Sequence, residues 1–184
     1  KAPDPLLLIA GGPGMGASEM YPGVAQAFAR TRRERDILIV DQRGTGRSDA
    51  LRCDSEGAPD ANADTASFLA DTRRCFEALA ARADLRQYTT SVAVRDLERV
   101  RTALGVGQWN LYGVSYGSRV AQHYLRKHPQ RTRSVILDGV VPPGLALGPD
   151  IALDAQAAFE RILARCDRDA NCSQRFGDTR AHYE

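Results

Sequence analysis

Four short apolar runs punctuate the chain: Leu6–Ala10, Ile37–Val40, Trp109–Tyr112 and Ser134–Leu137. Each is nearly continuous rather than alternating, the pattern of strands buried on both faces of a parallel sheet. Amphipathic stretches lie between them. One spans about Thr65–Arg82, with Phe68, Leu69, Phe76 and Leu79 on a shared face. The next spans about Ser91–Leu104, where Leu97, Val100 and Leu104 recur at helical spacing and Gly105 offers a stop. A third, about Ser118–Lys127, ends before Pro129, whose ring disfavours helical geometry at His128. Strands alternating with helices predict an α/β fold, a mostly parallel sheet with flanking helices. After Pro142-Pro143-Gly144 the texture changes, and a helix over about Ile151–Arg165 opens a separate helical element. The expected division is a core over residues 1–143 and a second part over 144–184.

Composition narrows the function classes more than the fold. The 184 residues suffice for one domain with a sizeable core and the start of a second. Lys plus Arg less Asp plus Glu is 25 − 23 = +2, which gives no reason to expect a nucleic-acid partner. The densest basic run, Arg30 to Arg35, is interrupted by Glu34 and reads as a solvated helix end. No apolar stretch approaches the ~20 residues of a membrane span, so no membrane partner is expected. Lys1-Ala-Pro-Asp-Pro5 leads straight into a strand and carries no signal-peptide pattern. There is no internal repeat and no low-complexity tract.

The decisive segment is Trp109 to Ser118, which reads strand, then Gly113-Val-Ser115-Tyr-Gly117, then helix. A G-x-S-x-G match between a buried strand and a helix is a nucleophile elbow. The tight turn imposes strained backbone angles on Ser115 and lifts its hydroxyl clear of the sheet. Gly113 and Gly117 are required where side chains would collide with neighbouring backbone. The helix behind the serine points its first amides at a developing oxyanion, and the Tyr116 N–H is the expected donor.

Gly11-Gly12-Pro13-Gly14 follows the first strand directly. In this fold the loop there supplies the second oxyanion amide, for which Gly12 is the first candidate and Gly11 the next. Gly12 to Ala17 also fits G-x-G-x-x-A, with Asp41 at the end of the following strand as a ribose-binding acid. That dinucleotide reading leaves the elbow at Ser115 unexplained and rests on a single glycine-rich match. A third segment, Asp41-Gln-Arg43-Gly44, follows the second strand. Asp41 and Arg43 are expected to pair and to support the neighbouring oxyanion loop.

Four cysteines allow three pairings. Local pairing, Cys53 with Cys75 and Cys166 with Cys172, is the simplest; four reduced thiols in a cytosolic protein are the alternative. Neither spacing suits zinc, since no C-x-x-C pair exists and the histidines lie elsewhere. Disulfides would place the protein in a periplasm or outside the cell.

Taken together, Gly11-Gly-Pro-Gly14, Asp41-Gln-Arg-Gly44 with Ser48, and Gly113-Val-Ser-Tyr-Gly117 resemble the proline iminopeptidase and tripeptidyl aminopeptidase family in order and rough spacing. These are α/β-hydrolases that release residues from peptide N-termini. The Cys166–Cys172 loop after Leu137-Asp-Gly139 looks like the secreted tripeptidyl-aminopeptidase branch. Ala10 stands where proline iminopeptidases usually carry His, which favours the same branch. The resemblance implies an α/β-hydrolase fold and an acyl-enzyme on Ser115. It also implies a peptide or aminoacyl substrate, and no metal or organic cofactor. Residues 144–184 would then begin a helical cap.

In that family a histidine base and its orienting acid follow the cap. His123, His128 and His182 are poorly disposed for the first role, and Asp138, at the end of a core strand, is a weak candidate for the second. The chain is therefore expected to be the N-terminal portion of a longer enzyme. The missing C-terminal portion would be its partner, and the chain alone is expected to be almost inactive. Two other functions share these features: a carboxylic-ester hydrolase of the same fold, and a non-catalytic α/β-hydrolase-like binding module.

Overall fold

Residues Leu6–Ile9 form strand β1, and successive side chains enter different cores. Leu7 and Ile9 pack with Val94, Leu97, Trp109, Leu111, Val120, Ala121 and Tyr124, whereas Leu6 and Leu8 join Ala10, Ala17 and Phe28. A strand that is apolar on both sides belongs inside a sheet covered on both faces. Each fully buried Leu or Val contributes ~1.5–3 kcal/mol relative to exposure, so this alternation fixes the register of the strand.

The computed structural model describes residues 1–53, 64–146, 148 and 150–182. Strands β1, β2 (Ile37–Ile39), β3 (Trp109–Val114) and β4 (Thr132–Asp138) form one parallel sheet in the order β2-β1-β3-β4. The helices are α1 (Ala17–Val24), α2 (Thr31–Glu34), α3 (Thr65–Ala80), α4 (Thr90–Ala103), α5 (Tyr116–Lys127), α6 (Ile151–Arg168) and α7 (Ala170–Phe176). Helices α4 and α5 cover the Leu7 face of the sheet, and α1 contributes Ala17 to the Leu6 face.

The α/β architecture expected from the apolar runs is the one observed. Helices α1 and α7 have no counterpart in the sequence reading, and α2 falls where only a solvated helix end was expected. Pro22 and Gly23 lie within α1 and mask its periodicity, while α2 and α7 have only four and seven residues. The shared face of α3 proves exposed: Phe68, Leu69 and Phe76 are 55%, 59% and 58% accessible. Periodicity reports that a face is apolar, not that something covers it.

The chain packs as two compact units, Lys1–Pro143 and Gly144–Glu184. Each contains one disulfide. Cys53 pairs with Cys75 in the first and Cys166 with Cys172 in the second, with Cα atoms 5.5 and 5.2 Å apart. Of the three pairings open to the sequence, the local one forms. Among the described residues no helix is long and apolar enough to cross a membrane.

Candidate active site

The turn from β3 into α5 is built around a single strained residue. Ser115 adopts φ 53° and ψ −124°, a conformation that L-residues rarely hold. The surroundings over-determine it. A Cβ on Gly113 would run into the carbonyl of Gly117, and one on Gly117 would run into the carbonyls of Ile9 and Ala10. The Ser115 N–H donates to the Asp138 carbonyl (2.8 Å), tying the turn to β4, whose Asp138 is in register with Val114. Ser115 is exposed, and among the described residues its hydroxyl has no hydrogen-bond partner.

Ser118, fully buried one turn into α5, supports the elbow from below. Its hydroxyl donates to the Ser115 carbonyl (2.6 Å) and accepts from the Val141 N–H (2.8 Å). Arg119 donates to the Pro142 carbonyl (2.9 Å) and Gln122 to the Val141 carbonyl (3.1 Å). Three side chains of α5 thus stitch the strand exit after β4 to the helix that follows Ser115.

Tyr116 opens α5, so its N–H is one of the first-turn donors without an intrahelical acceptor. Its hydroxyl is hydrogen-bonded to Thr90 Oγ1 at 2.7 Å, which anchors the residue to the start of α4. The loop after β1 meets the serine through Gly11, which is buried. A Cβ there would stand 3.1 Å from Ser115 Cβ and 3.6 Å from its Oγ. Gly12 is exposed with φ 106°, and its Cβ position faces the amides of Gly14 and Met15 rather than the serine. Of the two expected oxyanion glycines, the structure brings Gly11 against Ser115.

Asp41 and Arg43 take separate partners rather than pairing with each other. The Asp41 carboxylate accepts from the Ser18 N–H (2.8 Å), the Ser18 hydroxyl (2.7 Å) and the Arg47 N–H (2.8 Å). It thereby joins the first turn of α1, just past the loop after β1, to the loop after β2. Gly46 leaves no room for a side chain beside that carboxylate. Burial works to raise the Asp41 pKa, but the bonds from Arg47 and Ser18 outweigh it and hold the carboxyl below its usual range. Arg43 instead reaches Asp96 of α4 through two bonds, at 2.5 and 2.7 Å. The sequence reading missed Ser118, Thr90, Asp96 and Ser18, whose only signal was a polar residue at an ordinary helix or turn position.

No histidine reaches Ser115 among the described residues. His123 lies on α5, 3.4 Å from Ser91 Oγ, and burial, then the charges of Arg126 and Lys127, hold its pKa down. His128 ends α5 and is part-buried, its ring tilted against Tyr124 with the centres 4.9 Å apart. His182 belongs to the second unit. The Asp138 carboxylate accepts from the Tyr112 hydroxyl, and that bond, with burial, pushes the phenol up to about 12. Among the described residues no cluster of three or more His, Cys, Asp or Glu is arranged to hold a metal ion.

Comparison with known proteins identifies the family of this fold. The alpha/beta hydrolase fold family matches residues 4–175. The serine protease Hip1 of Mycobacterium tuberculosis is 31% identical over 189 residues, covering 91% of this chain and 36% of that protein. The proline iminopeptidase of Neisseria gonorrhoeae is 31% identical over 136 residues, covering 74% of this chain and 32% of that protein. The chain thus spans about a third of the length of these curated relatives. Among solved structures, a marine microorganism esterase superposes with a TM-score of 0.51 at 15% identity, over 97% of this chain and 56% of that one.

Proposed function

Because the chain belongs to the alpha/beta hydrolase fold family, we propose that it is the nucleophile-bearing part of a serine hydrolase that cleaves peptides. One observation carries this reading: an exposed serine with an unengaged hydroxyl, held at φ 53° between a buried strand and a helix N-terminus. Strain of that kind persists only where the surroundings impose it, and it turns the Oγ toward an incoming carbonyl.

The Ser115 Oγ attacks the carbonyl carbon of the substrate while a base takes its proton. The oxyanion that forms is bound by the Tyr116 N–H and by an N–H of the Gly11-Gly12 pair, of which Gly11 lies against the serine. Collapse breaks the bond to the leaving amine, which departs with the proton, and leaves an ester on Ser115. Water then hydrolyses the ester and the serine is regenerated. Asp41 ties the start of α1 to the loop after β2 beside the site. The histidine base and its acid lie outside these 184 residues, consistent with relatives of which the chain covers 36% and 32%.

A peptide or aminoacyl substrate with a free N-terminus is supported by the three shared motifs and by relatives named as a serine protease and a proline iminopeptidase. Two disulfides support an oxidising compartment, a periplasm or the cell exterior. Residues 144–184 are proposed as the start of the helical cap that the family resemblance implies.

Intact-mass measurement after incubation with a fluorophosphonate tests the reading. The natural full-length protein is expected to gain one adduct, lost in Ser115→Ala. The 184-residue chain alone is expected to gain none on the same timescale, since losing the base of a triad costs on the order of 10⁶-fold in kcat. A full-length protein that stays unlabelled would be a binding module. One that labels but turns over only carboxylic esters would be an esterase.

A further inference from the structure

A cavity of about 250 Å³ opens beside the elbow, between the loop after β1, the loop after β2 and the start of α4. Its walls include Gly14, Gln42, Arg43, Leu51, Tyr88 and Tyr116. We infer that this cavity is a substrate pocket that receives an uncharged, largely apolar side chain from a residue within two positions of the bond Ser115 attacks. The inference rests on the reading of Ser115 as nucleophile and adds the substrate class.

Position is the first argument. Tyr116 follows Ser115 directly, and Gly14 stands three residues beyond Gly11, which abuts the serine. With ~3.8 Å between consecutive Cα atoms, these two wall residues lie within about three residue lengths of Ser115 and of the glycine that abuts it. Gly14, at φ 109°, has no atom within 4 Å of its Cβ position, so the loop faces open space there. The volume falls below the ~300–1,000 Å³ of a whole small-molecule site and suits one side chain of a longer substrate.

Charge is the second argument. Arg43 is the charged wall residue, and its guanidinium is already engaged by both carboxylate oxygens of Asp96, at 2.5 and 2.7 Å. It also lies 6.0 Å from the centre of the Tyr88 ring. A charged guest would find no uncompensated partner, and burying an unpaired charge is costly. Leu51, Tyr88 and Ala93 supply apolar surface instead. The Gln42 carboxamide and the Tyr88 hydroxyl have no hydrogen-bond partner among the described residues. Both are suited to a neutral amide.

Rigidity is the third. A Cβ on Gly44 would stand 2.9 Å from the Tyr88 ring, so that ring is packed directly on the loop after β2. Leu51 stands two residues before Cys53, which is bonded to Cys75 of α3. The pocket therefore has fixed walls and discriminates by shape.

The test uses the natural full-length protein and alanine-based peptides carrying Leu, Gly, Lys or Glu at each position within two residues of the cleaved bond. At one position Leu is expected to exceed Lys and Glu at least tenfold in kcat/KM. Leu51→Trp, which fills the cavity, is expected to lower the Leu-over-Gly preference there at least tenfold; Gln42→Leu, which keeps the volume, is expected to raise KM. Equal acceptance of charged and uncharged residues at every position would overturn the proposal without any variant. So would an unchanged preference in a Leu51→Trp protein that melts cooperatively. Absence of Ser115-dependent turnover of both peptides and 4-nitrophenyl acetate would instead remove the nucleophile reading, and this pocket with it. Turnover of the acetate without the peptides would overturn the pocket and leave Ser115 standing.

Discussion

A serine hydroxyl has one proton and two lone pairs, and Ser118 uses the proton on the Ser115 carbonyl and a lone pair on the Val141 N–H. Ser118→Ala would leave that buried N–H without a partner, a loss of ~1–3 kcal/mol. The expected outcome is a lower urea midpoint with an unchanged slope, together with slower fluorophosphonate labelling of the full-length protein. At this scale the sequence was uneven. Ser115, Gly113 and Gly117 were legible because a tight strand-to-helix turn tolerates few alternatives at those spacings. The partners of Asp41 and Arg43 were not. Both residues lie after β2, and only the folded chain brings Ser18 and Arg47 to one and Asp96 to the other.

Helices α4 and α5 are joined by a part-buried polar cluster. Glu98 of α4 accepts from Arg101 at 2.9 and 2.6 Å and from the Tyr124 hydroxyl of α5 at 2.5 Å. Arg101 hydrogen-bonding holds the Glu98 carboxyl down to about 2, against burial, with Tyr124 adding to the effect. A folded pKa below the unfolded one means stability that is fully present above about pH 4.5. It is lost as pH falls from there toward about 2. Wild type is therefore expected to melt above Glu98→Gln at pH 7, by the equivalent of up to ~3 kcal/mol, and the gap to narrow as the pH falls to 3. The elements themselves were legible where burial was strongest. Strands β1 to β4 and helices α3 to α6 follow from apolar runs and helical spacing, whereas α1 hides behind Pro22 and Gly23. The network between α4 and α5 left no trace in the periodicity, because Glu98 and Arg101 read as ordinary exposed helix positions.

At the scale of the molecule, two compact units each carry their own covalent clasp. Closing loops of these lengths stabilises by roughly 2–4 kcal/mol each in the chain-entropy picture. Iodoacetamide is expected to label no cysteine of the native protein and all four after reduction and unfolding. Reductant is expected to lower the denaturation midpoint. Any thiol that reacts before reduction would argue against an oxidising compartment. The stitching of residues 141–142 onto α5 by Ser118, Arg119 and Gln122 has an evolutionary corollary. It makes Pro143 a graft point. Whatever sequence is spliced after it starts from an origin surveyed against the nucleophile, so insertions and exchanges downstream leave the serine where it was. One elbow of this kind can be inherited unchanged by lineages that diverge freely beyond it.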